Sequence, residues 1–257
     1  DHLGTINAPG TLDLAALGDR FFTTAANGTV TAYSRDGAVV AQRALNEGSD
    51  VQAQALFAAG NALWLSISKG CLSGGCEKTT LVLDPQSLVI ADRLAGGTVD
   101  VRTSGATAFA IFNLPNAIRT YNIADPLHPA ALAQHDLEGN ATTIDAANNV
   151  VYTLGDKLYA YAQSNLARAG EFPIAGTAEV SQKLRIDGTC AVITGRTFDP
   201  LFFTAGTWTT STTPFRLPAA VRSIAVQPGR VLVLTDYSLE VLSTSAAAAP
   251  SRRRAGD

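Results

Sequence analysis

The 257-residue sequence predicts an all-β fold: a six-bladed β-propeller of four-stranded antiparallel blades. Three observations carry the expectation. A phrase of short strands separated by Gly or Asn turns recurs, with first strands beginning near Asp13, Gln54, Asp100, Thr143, Lys183 and Ser223, at intervals of 41, 46, 43, 40 and 40 residues. The strands are rich in Val, Ile, Leu, Thr, Phe and Tyr with period-two alternation, and no window sustains the 3.6 period of a helical solenoid. The last unit has three strands, and a candidate for its fourth stands at the other end of the chain.

Each unit has room for four strands. The clearest copies are "VDVRTSGATAFAIF" (99–112), "TIDAANNVVYTLGDKLYAYA" (143–162), "LRIDGTCAVITG" (184–195) and "SIAVQPGRVLVLTDYSLEVLS" (223–243); "DLAALGDRFFTTAANGTVTAYS" (13–34) and "QALFAAGNALWLSIS" (54–68) are weaker. The segment "HLGTINAPG" precedes the first unit as "QRALNEG", "DRLAGG" and "HDLEGN" precede later ones. Residues 2–9 are therefore expected to complete the sixth blade, since an open ring would leave edge strands unpaired. The propeller domain spans 1–245. The low-complexity tail 246–257, "AAAAPSRRRAGD", lacks a core face and is expected to be disordered.

Composition narrows function. An apolar fraction of 46% supplies a core, and a formal charge of −3 gives no basic field to hold phosphates, which excludes nucleic acid as the main partner. No apolar run is long enough for a transmembrane segment. The chain starts at Asp1 without Met, which is expected of a processed or truncated form.

The stretch "SKGCLSGGCEK" (68–78) holds two of the three cysteines. Cys71 and Cys76 are too far apart in sequence for the close pairs of zinc sites, for C-x-x-C-H haem attachment or for a thioredoxin-like C-x-x-C, so no metal and no cofactor are expected. A disulfide fits, because Gly74 and Gly75 let the chain fold back on itself. Closing so small a loop is worth about 2 kcal/mol in the chain-entropy estimate. Disulfides persist in oxidising compartments, so the chain is expected to be extracytoplasmic: periplasmic, on the cell surface or secreted. Cys190, on an apolar strand, reads as a small buried hydrophobe.

No catalytic residue is identified. There is no G-x-S-x-G, no phosphate-binding G-x-G-x-x-G opening a helix, and His2, His128 and His135 form no recognisable pairing with Ser and Asp. The first strands should line a central channel with Asp13, Gln54, Asp100, Arg102, Asp145, Lys183 and Arg185, a mixed ring of charges that neutralises itself through water and ion pairs rather than an acidic ring that would hold a cation.

Residues 117–172, "AIRTYNIADPLHPAALAQHDLEGNATTIDAANNVVYTLGDKLYAYAQSNLARAGEF", resemble the LVIVD-type propeller repeat of bacterial surface proteins, in which an apolar strand runs into a D-x-S-D-P-x-x-P turn. In "NIADPLHPA", Asp125, Pro126 and Pro129 match the pattern, while Asn122 stands where that family has Asp and Ala124 replaces Ser. The match covers about two of the six units, and "VLDPQSLVIADRL" (82–94) is a fainter echo. The resemblance implies a secreted or surface-anchored binding scaffold and brings no catalytic residue with it.

Connections between second and third strands should share one face: the stapled insert with Lys69, "NLPN" with Asn113 and Asn116, and "RTFDP" with Arg196, Phe198 and Asp199. Restrained loops with an aromatic or Arg anchor suit recognition. The sequence thus leads to a non-enzymatic scaffold for a protein or surface glycan. A propeller enzyme of lactonase, lyase or glycosidase type acting at the channel mouth, or a structural module of a larger assembly, are the alternatives.

Overall fold

The computed structural model describes residues 10–45, 47–48, 50–71, 75–113, 115–155, 157–173, 183–187, 190–194, 197–204, 207–210, 215–216, 221–227, 230–235, 239–243 and 253–254. The chain divides into two compact units, Asp1–Leu137 and Glu138–Asp257.

Unit 1 holds three four-stranded antiparallel sheets in which sequence neighbours pair in order. Sheet 1 is β1 (Thr11–Leu17), β2 (Arg20–Ala25), β3 (Thr29–Tyr33) and β4 (Val39–Ala44). Sheet 2 is β5 (Val51–Ala59), β6 (Ala62–Lys69), β7 (Glu77–Leu83) and β8 (Ile90–Ala95). Sheet 3 is β9 (Gly97–Ser104), β10 (Thr107–Asn113), β11 (Ala117–Asn122) and β12 (Ala130–Asp136). The first strands β1, β5 and β9 lie in succession against one another.

Period-two side-chain alternation explains how sheet 2 packs on both neighbours. Strand β6 is buried from Ala62 through Ser68. Its Leu63 and Leu65, with Leu81 and Leu83 of β7, join Phe22, Val30 and Ala32 of sheet 1 in one core. Trp64 and Val82, the residues between them, join Val101, Ala108, Phe112 and Tyr121 of sheet 3 in another. The Trp64 and Tyr121 rings meet edge to face, centroids 5.4 Å apart, an arrangement worth about 0.5–1.5 kcal/mol beyond burial.

In unit 2, sheet 4 comprises β13 (Thr143–Ala147), β14 (Val150–Leu154), β15 (Lys157–Ala162) and β16 (Arg168–Pro173). Further strands follow: β17 (Lys183–Asp187), β18 (Cys190–Thr194), β19 (Thr197–Thr204), β20 (Thr207–Thr210) and β21 (Phe215–Arg216) in one sheet. The last sheet is β22 (Val221–Gln227), β23 (Arg230–Thr235), β24 (Leu239–Ser243) and β25 (Arg253–Arg254). Tyr152, Leu154, Leu158, Ala160 and Leu184 form a core between sheet 4 and β17.

The first hairpin of sheets 1 to 4 closes with two residues, 18–19, 60–61, 105–106 and 148–149. The last is Asn148–Asn149 with φ of 53° and 62°, the positive pair a type I′ turn demands and Asn tolerates. The alternating register of strand and tight turn puts the first-to-second and third-to-fourth connections at one end of each sheet. The second-to-third connections and the crossings to the next sheet occupy the opposite end.

Residues 2–9, expected to complete the sixth blade, lie outside the described residues. Beside β24 the sheet adds β25, from the tail, with Arg254 opposite Glu240 in register. Strand pairing uses main-chain groups and needs no apolar core face. "RTFDP" was expected as a loop, yet Phe198 and Asp199 belong to β19, opposite Thr194 and Ile193. Pro200 masks this strand in the sequence. It is accommodated because β21 pairs with Thr197 and Phe198 and β20 with Leu201–Thr204, leaving Asp199 and Pro200 facing the gap between them.

Among the described residues no helix is long and apolar enough to cross a membrane.

Candidate functional site

The disulfide end of sheets 2 and 3 carries Lys69, Asn113 and Asn116, three of the six sequence-predicted binding residues, together with both cysteines. Cys71 and Cys76 are bonded, S–S 2.05 Å, with Cα atoms 4.2 Å apart, in the connection between β6 and β7. Cys71, Gly75, Cys76 and Glu77 are exposed, as is Lys69 at the base of the hairpin. Lys69 extends past Gly48 toward Glu47. That carboxylate is gripped by Arg93 through two 2.8 Å hydrogen bonds. Arg93 chiefly, with the more distant charge of Lys69, holds the Glu47 carboxyl below its usual range.

Asn113 lies at the same end. Its amide accepts from Lys78 Nζ at 2.8 Å and donates to the Gly97 carbonyl at 2.9 Å, so it ties β7 to β9. Asn116 donates its amide to the Leu137 carbonyl at 3.3 Å and accepts the Leu137 N–H on its own carbonyl at 3.0 Å. Both asparagines therefore brace connections. Arg196 lies outside the described residues, and Phe198 and Asp199 stand in β19 of unit 2.

The three aspartates expected to line a channel accept main-chain N–H groups. A first strand is paired on one side, which leaves main-chain N–H groups along its other edge. Asp13 Oδ1 accepts the Leu14 N–H at 2.8 Å and its Oδ2 accepts the Leu56 N–H of sheet 2 at 2.8 Å. Asp100 Oδ1 accepts the Val101 N–H at 2.9 Å, and Asp145 Oδ1 the Ala146 N–H at 2.9 Å. Arg102 pairs with Asp100 at 3.0 Å, and Gln54 donates to Ser68 Oγ at 3.0 Å. Lys183 and Arg185 are in β17. Among the described residues no group of three or more His, Cys, Asp or Glu is arranged to hold a metal ion.

An open cleft of about 630 Å³ in unit 1 was not foreseen. It lies at the end of the sheets opposite the disulfide. Its walls are the turn at Gly18–Arg20, Asn61, and two Asp-Pro turns, Asp84–Gln86 and Asp125–Leu127; Leu17 and Phe22 form its floor. The two Asp-Pro turns are built alike: Asp84 Oδ1 accepts the Gln86 N–H at 2.8 Å, and Asp125 Oδ1 the Leu127 N–H at 3.2 Å. Asp84 Oδ2 also accepts from Ser87 Oγ at 3.0 Å. The Gln86 N–H, and then the Ser87 hydroxyl, keep the Asp84 carboxyl below its usual range. The signal was present in the sequence. Asp84 and Asp125 are 41 residues apart, one repeat, so period alone puts them at the same end of neighbouring sheets.

A second groove, about 550 Å³, runs between β8 and β12. Its guanidinium groups are committed: Arg93 to Glu47, and Arg119 to Gln134 Oε1 at 2.9 Å and to the Ala95 carbonyl.

Similarity to solved structures decides the fold. The β-propeller domain of Cps50 (Swd1) from Myceliophteria thermophila superposes with a TM-score of 0.68 at 12% identity, over 99% of this chain and 88% of that one. The fold is that of a β-propeller. The computationally designed Ika8 protein matches with a TM-score of 0.66 at 13% identity, over 96% of this chain and 76% of that one. BamB from Moraxella catarrhalis matches at 0.60 and 12%, over 86% and 66%. No protein-family model matches the chain, and no curated protein matches it in sequence. The LVIVD-type resemblance therefore rests on the residues quoted for it.

Proposed function

We propose that this propeller has six blades and is a non-enzymatic, extracytoplasmic scaffold that binds a partner protein or a surface glycan through the disulfide end of its sheets. The observation that carries the reading is the exposed hairpin closed by Cys71–Cys76. A loop already restrained loses little conformational freedom on binding, and a covalent staple on a surface loop suits recognition better than core stability. The disulfide also supports an oxidising compartment. The likeness of residues 117–172 to repeats of bacterial surface proteins supports the same location. In the sequence Arg196 stands between β18 and β19, and Phe198 and Asp199 follow it within β19.

The test is crosslinking and co-purification from the native host, together with glycan-array binding. It compares the natural chain with a variant carrying Cys71→Ser, Cys76→Ser and Lys69→Ala, and with a second carrying Arg196→Ala and Phe198→Ala. Loss of the same partner or glycan from both variants is expected while both stay folded, the second melting like the natural chain and the first a few degrees lower, as the loss of about 2 kcal/mol implies. Undiminished capture by both would overturn the site. Turnover of lactone, lyase or glycosidase substrates by the purified chain would overturn the non-enzymatic reading.

A further inference from the structure

We propose that the cleft between the two Asp-Pro turns is a second binding site, for an extended peptide that carries a lysine or arginine next to an apolar residue. It lies at the opposite end of sheets 1 to 3 from the disulfide and is independent of the function proposed above.

The shape comes first. At about 630 Å³ the cleft falls within the usual range of ligand sites, about 300–1,000 Å³, and it is open along its length rather than a closed cavity. Its walls are rigid. Each Asp-Pro turn is locked by its own aspartate accepting an N–H two residues on, and proline fixes φ at the next position. The Asp125 turn is braced from behind by Gly60, where φ is +61° and an added Cβ would stand 3.1 Å from Ile123 and 3.4 Å from Pro126. On the other side Arg20 Nη1 donates to the Pro85 carbonyl at 3.4 Å, joining the first turn of sheet 1 to the wall from sheet 2. Preformed walls keep the cost of binding low.

Chemistry then selects the occupant. The rim carries Asp19, Asp84 and Asp125 against one cation, Arg20, which already leans on a carbonyl. Asp84 commits both oxygens to its own turn and remains ionised there. Asp125 keeps Oδ2, and Asp19 its whole carboxylate, without a hydrogen-bond partner among the described residues. This balance repels phosphates, carboxylates and nucleic acid and attracts a cationic side chain. A sugar ring would want an exposed aromatic face, but the aromatic residue of the floor, Phe22, is fully buried. The half-buried Leu17, Pro126 and Leu127 offer apolar contact instead. The exposed amides of Asn61 and Gln86 suit the alternating N–H and C=O of an extended backbone. A cation, an apolar neighbour and a peptide backbone together match all three features.

Fluorescence anisotropy with labelled decapeptides tests this on the full chain. The probes are glycine-serine decapeptides bearing a central Lys-Leu-Lys, Glu-Leu-Glu or Lys-Gly-Lys. The Lys-Leu-Lys peptide is expected to bind, at least tenfold more tightly than either other peptide, and more weakly as salt is raised. Asp19→Asn with Asp125→Asn keeps the turn acceptor at residue 125 and is expected to weaken binding about tenfold, the effect of losing about 1.4 kcal/mol. The melting curve of the double Asn variant is expected to match that of the natural chain and serves as the folding control. Absence of binding by the natural chain, equal binding of the acidic peptide, or undiminished binding to the double Asn variant would overturn the proposal.

Discussion

Asp13 Oδ2 accepts the main-chain N–H of Leu56 at 2.8 Å, a carboxylate on the first strand of one sheet satisfying the backbone of the first strand of the next. Leu56 is 2% exposed, so its N–H has little access to water. Replacing Asp13 by Ala strands that donor and is expected to cost about 1–3 kcal/mol. Asp13→Asn keeps an acceptor oxygen and should cost less. Hydrogen exchange at the Leu56 amide reads this locally: protection should fall sharply in the Ala variant and modestly in the Asn variant. Equal protection in all three would show that the contact contributes nothing.

Much of this arrangement was legible in the sequence, and particular residues show why the rest was not. The repeat of about 40 residues is a covalent property, so the six first strands found near Asp13, Gln54, Asp100, Thr143, Lys183 and Ser223 all fall within β1, β5, β9, β13, β17 and β22. Parity along β6 also reads directly as two cores, Leu63 and Leu65 to one side and Trp64 to the other. The charge of the first-strand aspartates was legible, but their hydrogen-bond partners were not. Sequence shows the charge of Asp13 and cannot show that the nearest unsatisfied group is a backbone N–H 43 residues away. Pro200 hid part of β19 because tolerance of proline depends on which neighbouring strand falls opposite it. The cleft was missed because each Asp-Pro pair was read as punctuation of its own turn. It is a site by virtue of two turns from neighbouring sheets standing together, and that pairing follows from the repeat only once the sheets are in place.

Thr80 links sheets 2 and 3 through a buried hydroxyl. Its Oγ1 donates to the Gly96 carbonyl at 2.9 Å, accepts the Thr98 N–H at 3.0 Å and lies 2.7 Å from Thr98 Oγ1. Thr80→Val keeps the shape and removes both donor and acceptor, leaving the Thr98 N–H without that partner at a site where Thr80 is fully buried. A loss of about 1–3 kcal/mol is expected in urea denaturation, whereas Thr80→Ser should retain most of the stability. If the valine variant were as stable as the natural chain, the network would be incidental.

Gly155 follows β14 in sheet 4, against the chain that crosses into that sheet. A Cβ there would fall 2.3 Å from the Asn140 carbonyl oxygen and 3.4 Å from the Ala141 Cα, and a backbone oxygen has no rotamer by which to yield. Gly155→Ala must displace residues 140–141 or the turn itself, which also holds the Gly155 N–H to Lys157 O bond at 3.0 Å. The expected cost is about 1–3 kcal/mol. The contrasting Gly105→Ala has open space around its Cβ but a φ of +57°, so it pays for backbone strain alone. It should destabilise less, about 1 kcal/mol. Thermal denaturation of the pair separates collision from strain; the reverse order would contradict the packing.

Glu47 and Arg93 give the disulfide end its pH dependence. Arg93 lowers the Glu47 carboxyl below its ordinary value of 4.5, and Glu47 in turn raises Arg93. A carboxylate whose folded pKa is depressed binds protons more readily when unfolded. Its contribution is therefore complete above about pH 4.5 and drains away as pH falls through the lower, folded value. Asp84 at the cleft, depressed by the Gln86 N–H first, adds to the same acid limb below its ordinary 3.8. The guanidinium stays charged throughout, so nothing comparable is expected between pH 6 and 8 from this pair. Glu47→Gln should flatten the fall in melting temperature between about pH 5 and 3 while changing stability little at neutral pH, because half-exposed ion pairs contribute about 0–1 kcal/mol. Raised salt should shrink the difference between the two chains. An acid limb identical in both would mean that Arg93 grips Glu47 equally well in the unfolded ensemble, or that the pair does not persist in solution.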